Sequence, residues 1–200
     1  MYMNDIPVLR TLSSPNKIQD YLDSISFNLE KRGETCMSPS MVLANKRAHC
    51  IEGAMLAAAA LYLNGEKPLL LNLKVHHSSD YDHVVALYKR NGYWGAISKT
   101  NHAVLRFRDP IYKTVRELAL SYFHEYFLVR TGEKTLLGYS KPINLMRFGK
   151  KWITSSENLW HIAETIFDSP HTAIVPKENK KYIRKASSIE RKVAKIPETK

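Results

Sequence analysis

The sequence predicts an α+β fold in which a buried helix headed by Cys50 packs on an antiparallel sheet, with further helices flanking that core. Three observations carry the prediction. Residues 51–63 are apolar on nearly every face, including the alanine run Ala57 to Ala60, and a helix with no polar side is one enclosed by the protein. LLLNLKV (69–75) and HVVALYK (83–89) are apolar runs of strand length. Between HVVALYKR and YWGAIS stands Asn91-Gly92, the strongest short-range hairpin signal, because both residues accept the positive φ of a two-residue turn.

The other elements follow in chain order. Ser14 and Pro15 are a helix start, and Ile18, Tyr21, Leu22, Ile25 and Leu29 recur at helical spacing until Gly33. Ser38 with Pro39 opens a short helix through Met41, Val42 and Leu43, and a break over residues 44–49 delivers the chain to Cys50. Gly65 ends the buried helix. After the hairpin, Asp109 and Pro110 are expected to open a helix with Ile111, Val115, Leu118, Tyr122, Phe123 and Tyr126 on one face. TLLGYSKPINL is expected to be extended, and Leu159, Ile162, Ile166 and Phe167 mark a last helix before Ser169-Pro170. SYFHEYF reads as a core-facing aromatic stripe.

The chain has 200 residues, 44% of them apolar, which suits a single domain able to bury a core without disulfides or metals. The expected division is one domain over 1–175 and a basic, flexible tail over 176–200. The net charge is +11, and residues 176–200 hold nine Lys/Arg against three Glu, so more than half of the excess lies in that segment. Such a tail is expected to be solvated, with nucleic acid a weaker alternative partner through residues 176–200, helped by Lys150, Lys151 and Trp152. No apolar window approaches the length of a membrane span or signal segment, so the chain is expected to be soluble and cytoplasmic, with no membrane partner. Cys36 and Cys50 are too few for a disulfide framework and read as reduced thiols.

Cys50 falls in the first turn of the buried helix, behind Lys46, Arg47 and His49. A helix N-terminus and neighbouring cations favour the thiolate, which is the nucleophilic form. His83, in DYDHVVALY, is the candidate base. The neighbouring His76 and His77 lack the further ligands a metal site needs, so no metal and no cofactor is expected, and His102 and His124 read as ordinary polar positions.

The order of these parts resembles the transglutaminase-like superfamily of papain-fold thiol enzymes. MSPSMVLANKRAHCIEGAMLAAAALYLNGEKPLLL resembles the cysteine segment of that family, and DHVVALYKRNGYWGAISKTN its histidine and third-residue segment; the match covers about Ser38 to Asn101. The resemblance implies a catalytic set of Cys50, His83 and an acid four positions after Trp94. That position is Ser98, a departure from the family.

Hairpin arithmetic bears on the third residue. A two-residue turn pairs Arg90 with Tyr93, so Val85 faces Ser98, and Ser98 shares the face of His83, diagonally offset. A three-residue loop would instead bring Asn101 opposite His83. Ser98 is favoured and Asn101 is the alternative; either accepts a hydrogen bond from the ring without supplying charge. Asp82 points to the opposite face, and Asp80 and Asp109 remain as carboxylate substitutes from loops.

The function expected from the resemblance is that of a thiol enzyme acting on an amide or peptide bond. Cys50 attacks the carbonyl, His83 serves as general base and then acid, and N–H groups at the helix start hold the oxyanion. Hydrolysis and acyl transfer both remain open, with a protein or peptide as the substrate. The alternative is a noncatalytic transglutaminase-like binding or scaffold domain in which Ser98 marks lost activity.

Overall fold

In a computed structural model, which describes residues 5–31, 33–76 and 80–196, the protein is a mixed α+β fold built on a seven-stranded antiparallel sheet. In chain order the elements are α1 (Asp5–Thr11), α2 (Pro15–Ser24), β1 (Ser26–Phe27), α3 (Pro39–Asn45), β2 (Arg47–Ala48) and α4 (Cys50–Leu63). Then come β3 (Leu69–Val75), β4 (His83–Arg90), β5 (Tyr93–Ile97), β6 (Arg108–Tyr112), α5 (Val115–Ser121), β7 (Leu136–Ser140) and β8 (Ile143–Asn144), followed by α6 (Trp160–Phe167), β9 (His171–Ala173) and α7 (Ser188–Ala194). The strand order is β6-β5-β4-β3-β7-β9, with β8 also paired to β3, and every pair in this sheet is antiparallel.

Strand alternation divides the core into two layers. Leu70, Val84, Ala86, Tyr88 and Ile97 face α4 and the other helices of one layer, while Leu71, Leu73, Val85, Leu87 and Ala96 face Leu118, Ala119, Tyr122 and Tyr126 on the other. Residues 51–61 of α4 are all buried, and the run Ala57–Ala60 lets the helix lie close to the strands beneath it. Gly53 is required by one such approach: a Cβ there would stand 2.5 Å from Lys99 Cβ.

Lys99 is itself buried, and its ammonium donates to Leu22 O and Ile25 O, each at 2.8 Å, closing the C-terminus of α2. This corrects the expectation that the helix runs on to Gly33. Ile25 is already extended, the chain leaves as β1 to pair in parallel with β2, and Leu29 is exposed. The expected helix at Asp109-Pro110 is likewise corrected: residues 108–112 form edge strand β6, where a proline removes no needed ladder bond. Thr114 caps α5 instead, its hydroxyl accepting from Glu117 N at 3.1 Å. The aromatics 122–127 therefore follow the helix in a turn rather than forming a stripe on it, although Tyr122, Tyr126 and Phe127 are buried.

The basic segment after residue 175 contains a 3-10 turn (Lys177–Tyr182) and α7. Ala186 and Ala194 pack on Phe127, Ala186 N donates to Gly132 O at 2.8 Å, and Arg191 donates to Arg130 O at 2.9 Å. Trp152 is buried in the main core, which corrects its place as a base-stacking residue. Among the described residues no helix is long and apolar enough to cross a membrane.

Candidate active site

Cys50 owes its position to the way α3 stops. Lys46 closes that helix in the left-handed conformation at φ 53°, β2 anchors the chain beside β1, and His49 enters as the extended N-cap of α4. Cys50 is thus the first helical residue, where the N–H groups of the opening turn have no intrahelical acceptor and the helix dipole is positive. The residue as a whole is half-buried.

Glu52, the acidic residue in an otherwise apolar helix, organises this end of the molecule. It is fully buried, and four donors converge on its carboxylate, two on each oxygen. Oε1 accepts from Thr35 Oγ1 at 2.7 Å and Met37 N at 2.9 Å; Oε2 accepts from His49 N at 2.9 Å and Asn28 Nδ2 at 3.1 Å. Four donors fill the acceptor capacity of a carboxylate. Asn28, Thr35 and Met37 are thereby fastened over the start of α4. His49 Nε2 lies 2.9 Å from Thr35 O, 3.4 Å from Glu52 Oε1 and 3.6 Å from Glu30 Oε1.

His83 begins β4, and the Asn91-Gly92 turn sets what it meets. Both turn residues have positive φ, 50° and 87°, and Arg90 pairs with Tyr93, so the loop has two residues and the register that would bring Asn101 opposite His83 is not formed. The ladder pairs Ala86 with Ile97, and one step further Ser98 reaches the His83 ring: Nε2 and Ser98 Oγ are 2.8 Å apart. The hydroxyl has one proton, and it goes to Leu105 O at 2.6 Å. Ser98 Oγ must therefore accept from His83 Nε2–H, which leaves Nδ1 as the ring's basic nitrogen. Gln19 of α2 holds Ser98 in place through both amide groups, Ser98 N donating to Oε1 at 3.0 Å and Nε2 donating to Ser98 O at 2.8 Å.

By alternation His83 and Ser98 lie on the sheet face turned away from the body of α4. They meet Cys50 because all three stand at an end: the first residue of a helix, the first of a strand, and the residue just past a strand. There the side chains of His49 and His83 both act on the Cys50 thiol. Burial pushes the thiol up, but the neighbouring His49 and His83 outweigh it and bring Cys50 down from 9.0 to about 5. For His49, burial works against protonation, and the neighbouring Cys50 and Glu52 lift it from 6.5 to about 9. Cys36 lies wholly inside the core, where burial and the Glu52 charge push it up to about 12. The two cysteines thus sit at opposite extremes of reactivity.

The remaining candidates stand elsewhere. Asp82 accepts from Asn72 Nδ2 at 2.9 Å and Val75 N at 2.8 Å; Asp80 accepts from Thr135 Oγ1 at 2.7 Å and Tyr81 N at 2.9 Å; Asp109 is exposed on the edge strand. His77 lies outside the described residues, among which no group of three metal-ligating side chains converges. His102 takes a place near the site, and its pKa is lowered, by burial first and then by the neighbouring His83.

Sequence reasoning missed Glu52, Gln19, the Leu105 carbonyl and the individual role of His49. Only Glu52 left a signal, an acid three residues after the N-cap as in a capping box. The chain matches no protein-family model and no curated protein sequence.

Proposed function

We propose that this protein is a thiol enzyme of the transglutaminase-like, papain-fold type that acts on an amide or peptide bond through an acyl-enzyme on Cys50. One observation carries the proposal: His83 stands between the Cys50 sulfur and Ser98, with its proton fixed on Nε2 and its basic nitrogen left for the thiol. A histidine in that tautomer can move protons at the sulfur, and a thiolate at a helix N-terminus is poised to attack a carbonyl. The opening N–H groups of α4 would supply the donors for the oxyanion. Ser98 replaces the acid expected of the family, and its hydroxyl passes the hydrogen bond on to the Leu105 carbonyl, so orientation is kept while negative charge is absent. A protein or peptide substrate and a cytoplasmic setting complete the proposal.

The test is acylation by a small activated ester such as p-nitrophenyl acetate at mildly acidic pH, followed by peptide mapping. One acyl group on Cys50, formed much faster than on N-acetylcysteine and slowed by His83→Ala, is the expected result. Acylation no faster than that of the free thiol would leave the noncatalytic binding domain as the better account.

A further inference from the structure

The basic segment after residue 175 is folded onto the domain and yet keeps its charge outside. Among the described residues, 176–196 carry eight Lys/Arg and two Glu, and every one of these cations except Arg191 is exposed. The 3-10 turn Lys177–Tyr182 buries no residue, so apolar contact does not hold it. The chain is fastened further on, where Ala186 N donates to Gly132 O at 2.8 Å, Lys185 Nζ lies 3.1 Å from Glu133 Oε1 and Arg191 donates to Arg130 O. Gly132 admits it: its φ is 79°, and a Cβ there would stand 2.6 Å from Ala186 O.

Between this segment and the turn that follows α5 lies a cavity of about 340 Å³, within the range of small-ligand sites, about 300–1,000 Å³. Its lining includes three cations, Lys134, Arg184 and Lys185, the rings of Phe123 and Tyr182, and one carboxylate, Glu190. The Lys134 side chain is only 6% exposed; among the described residues its ammonium has one hydrogen bond, to His124 O at 2.6 Å, with Glu190 Oε1 3.9 Å away. Burial disfavours that charge and lowers the Lys134 pKa, a cost that an anion in the cavity would offset. Tyr182 is 73% exposed, with Lys181 Nζ 5.0 Å from its ring centre.

We infer that this cavity and the basic segment beside it bind single-stranded RNA, with phosphates against Lys134, Arg184 and the exposed lysines and a base against Tyr182. Cations alone suit any polyanion. An exposed ring set among them suits a strand with unstacked bases, because every base offers a π-face. An acidic peptide brings charge without that regular series of planar groups, and a duplex keeps its bases stacked on one another. Glu190 bears on the sugar: its Oε2 accepts from Ser187 N at 2.6 Å, and its Oε1 retains lone pairs that can accept from a ribose 2′-OH, which a deoxyribose strand lacks. The cavity shares no lining residue with Cys50, His83 and Ser98, so this inference stands or falls apart from the thiol chemistry.

The test is fluorescence anisotropy of a fluorescein-labelled uridine dodecamer with the full chain, from about 50 to about 250 mM NaCl. The competitors are the deoxyuridine dodecamer, an RNA duplex of the same length and an aspartate dodecapeptide. The expected result is tightest binding of the uridine strand, with log K falling against log salt at a slope of about −2 or steeper. Tyr182→Ala should weaken binding about 5-fold or more and leave the slope unchanged, because stacking releases no counterion. Arg184→Ala should flatten the slope by about 0.7, the share of one phosphate contact. Both side chains are exposed, so thermal melts of the variants should match the wild type. Equal binding of the peptide or the duplex, or an unchanged affinity in Tyr182→Ala, would overturn the inference, and equal binding of the deoxyuridine strand would overturn the assignment to RNA.

Discussion

The pH profile of thiol labelling gives the strictest quantitative check. At pH 6 a thiol titrating at about 5 is about nine-tenths thiolate, against about one part in a thousand for one at the ordinary 9.0, a ratio of ~900. A less basic thiolate is also a weaker nucleophile, and over about 4 pKa units that discounts the gain by ~40- to 100-fold. Cys50 is therefore expected to react with iodoacetamide ~10- to 20-fold faster than N-acetylcysteine at pH 6. Cys36, pushed up to about 12 and fully buried, should stay unlabelled in the folded protein. The measurement is a set of second-order rate constants between about pH 4 and pH 9, with each cysteine assigned by peptide mass. The Cys50 rate should level off above pH 6. A rate that climbs tenfold per pH unit through pH 8, or equal labelling of Cys36, would refute the electrostatic account of the site.

Stability should carry the same signature with a definite sign. Cys50 is lowered on folding, so its contribution is lost as pH falls through about 5; His49 is raised, so its contribution is lost as pH rises through about 9. Between about pH 5 and 6.5 the unfolded chain holds one more of these protons than the folded protein, and from 6.5 to about 9 the two hold the same number, so thermal melts should show stability rising to about pH 6.5 and level from there to about 9. The rise should vanish after Cys50 is alkylated, and an unchanged profile would count against the coupled titration of Cys50 and His49. Ser98→Ala removes the acceptor of His83 Nε2–H and the donor to Leu105 O, two buried groups whose loss costs about 1–3 kcal/mol each. Acylation rates should fall ~10-fold or more, and Ser98→Asp should not restore them, since a carboxylate has no proton for a carbonyl 2.6 Å from the present hydroxyl. Gly53→Ala places a Cβ 2.5 Å from Lys99 Cβ and pulls the ammonium from the end of α2; urea titration should show a loss of about 1–3 kcal/mol, and no loss would mean that Lys99 moves freely.

Much of the fold was legible because its signals are local. Apolar residues on every side of 51–63 mark a buried helix, and Asn91-Gly92 selects the turn, the register and hence the diagonal relation of His83 to Ser98. The misreadings come from the same locality. Ile25 and Leu29 continue a helical period that the chain abandons, because pairing of β1 with β2 and the Lys99 ammonium end α2 earlier. Asp109-Pro110 looks like a helix start within its own window, but β5 needs an edge partner and residues 108–112 supply it.

The sequence by itself determined that a thiol heads a buried helix and that a histidine begins the first strand of a tight hairpin, since each depends on residues a few positions apart. Only the tertiary structure decided what those groups touch. Ser98 meets Leu105 across a loop, Gln19 clamps Ser98 from 79 positions away, and Glu52 draws in Asn28 and Thr35 while it and Glu30 stand beside His49. Charge acts through space rather than along the chain, so the protonation of a three-dimensional cluster is fixed only when distant segments have packed.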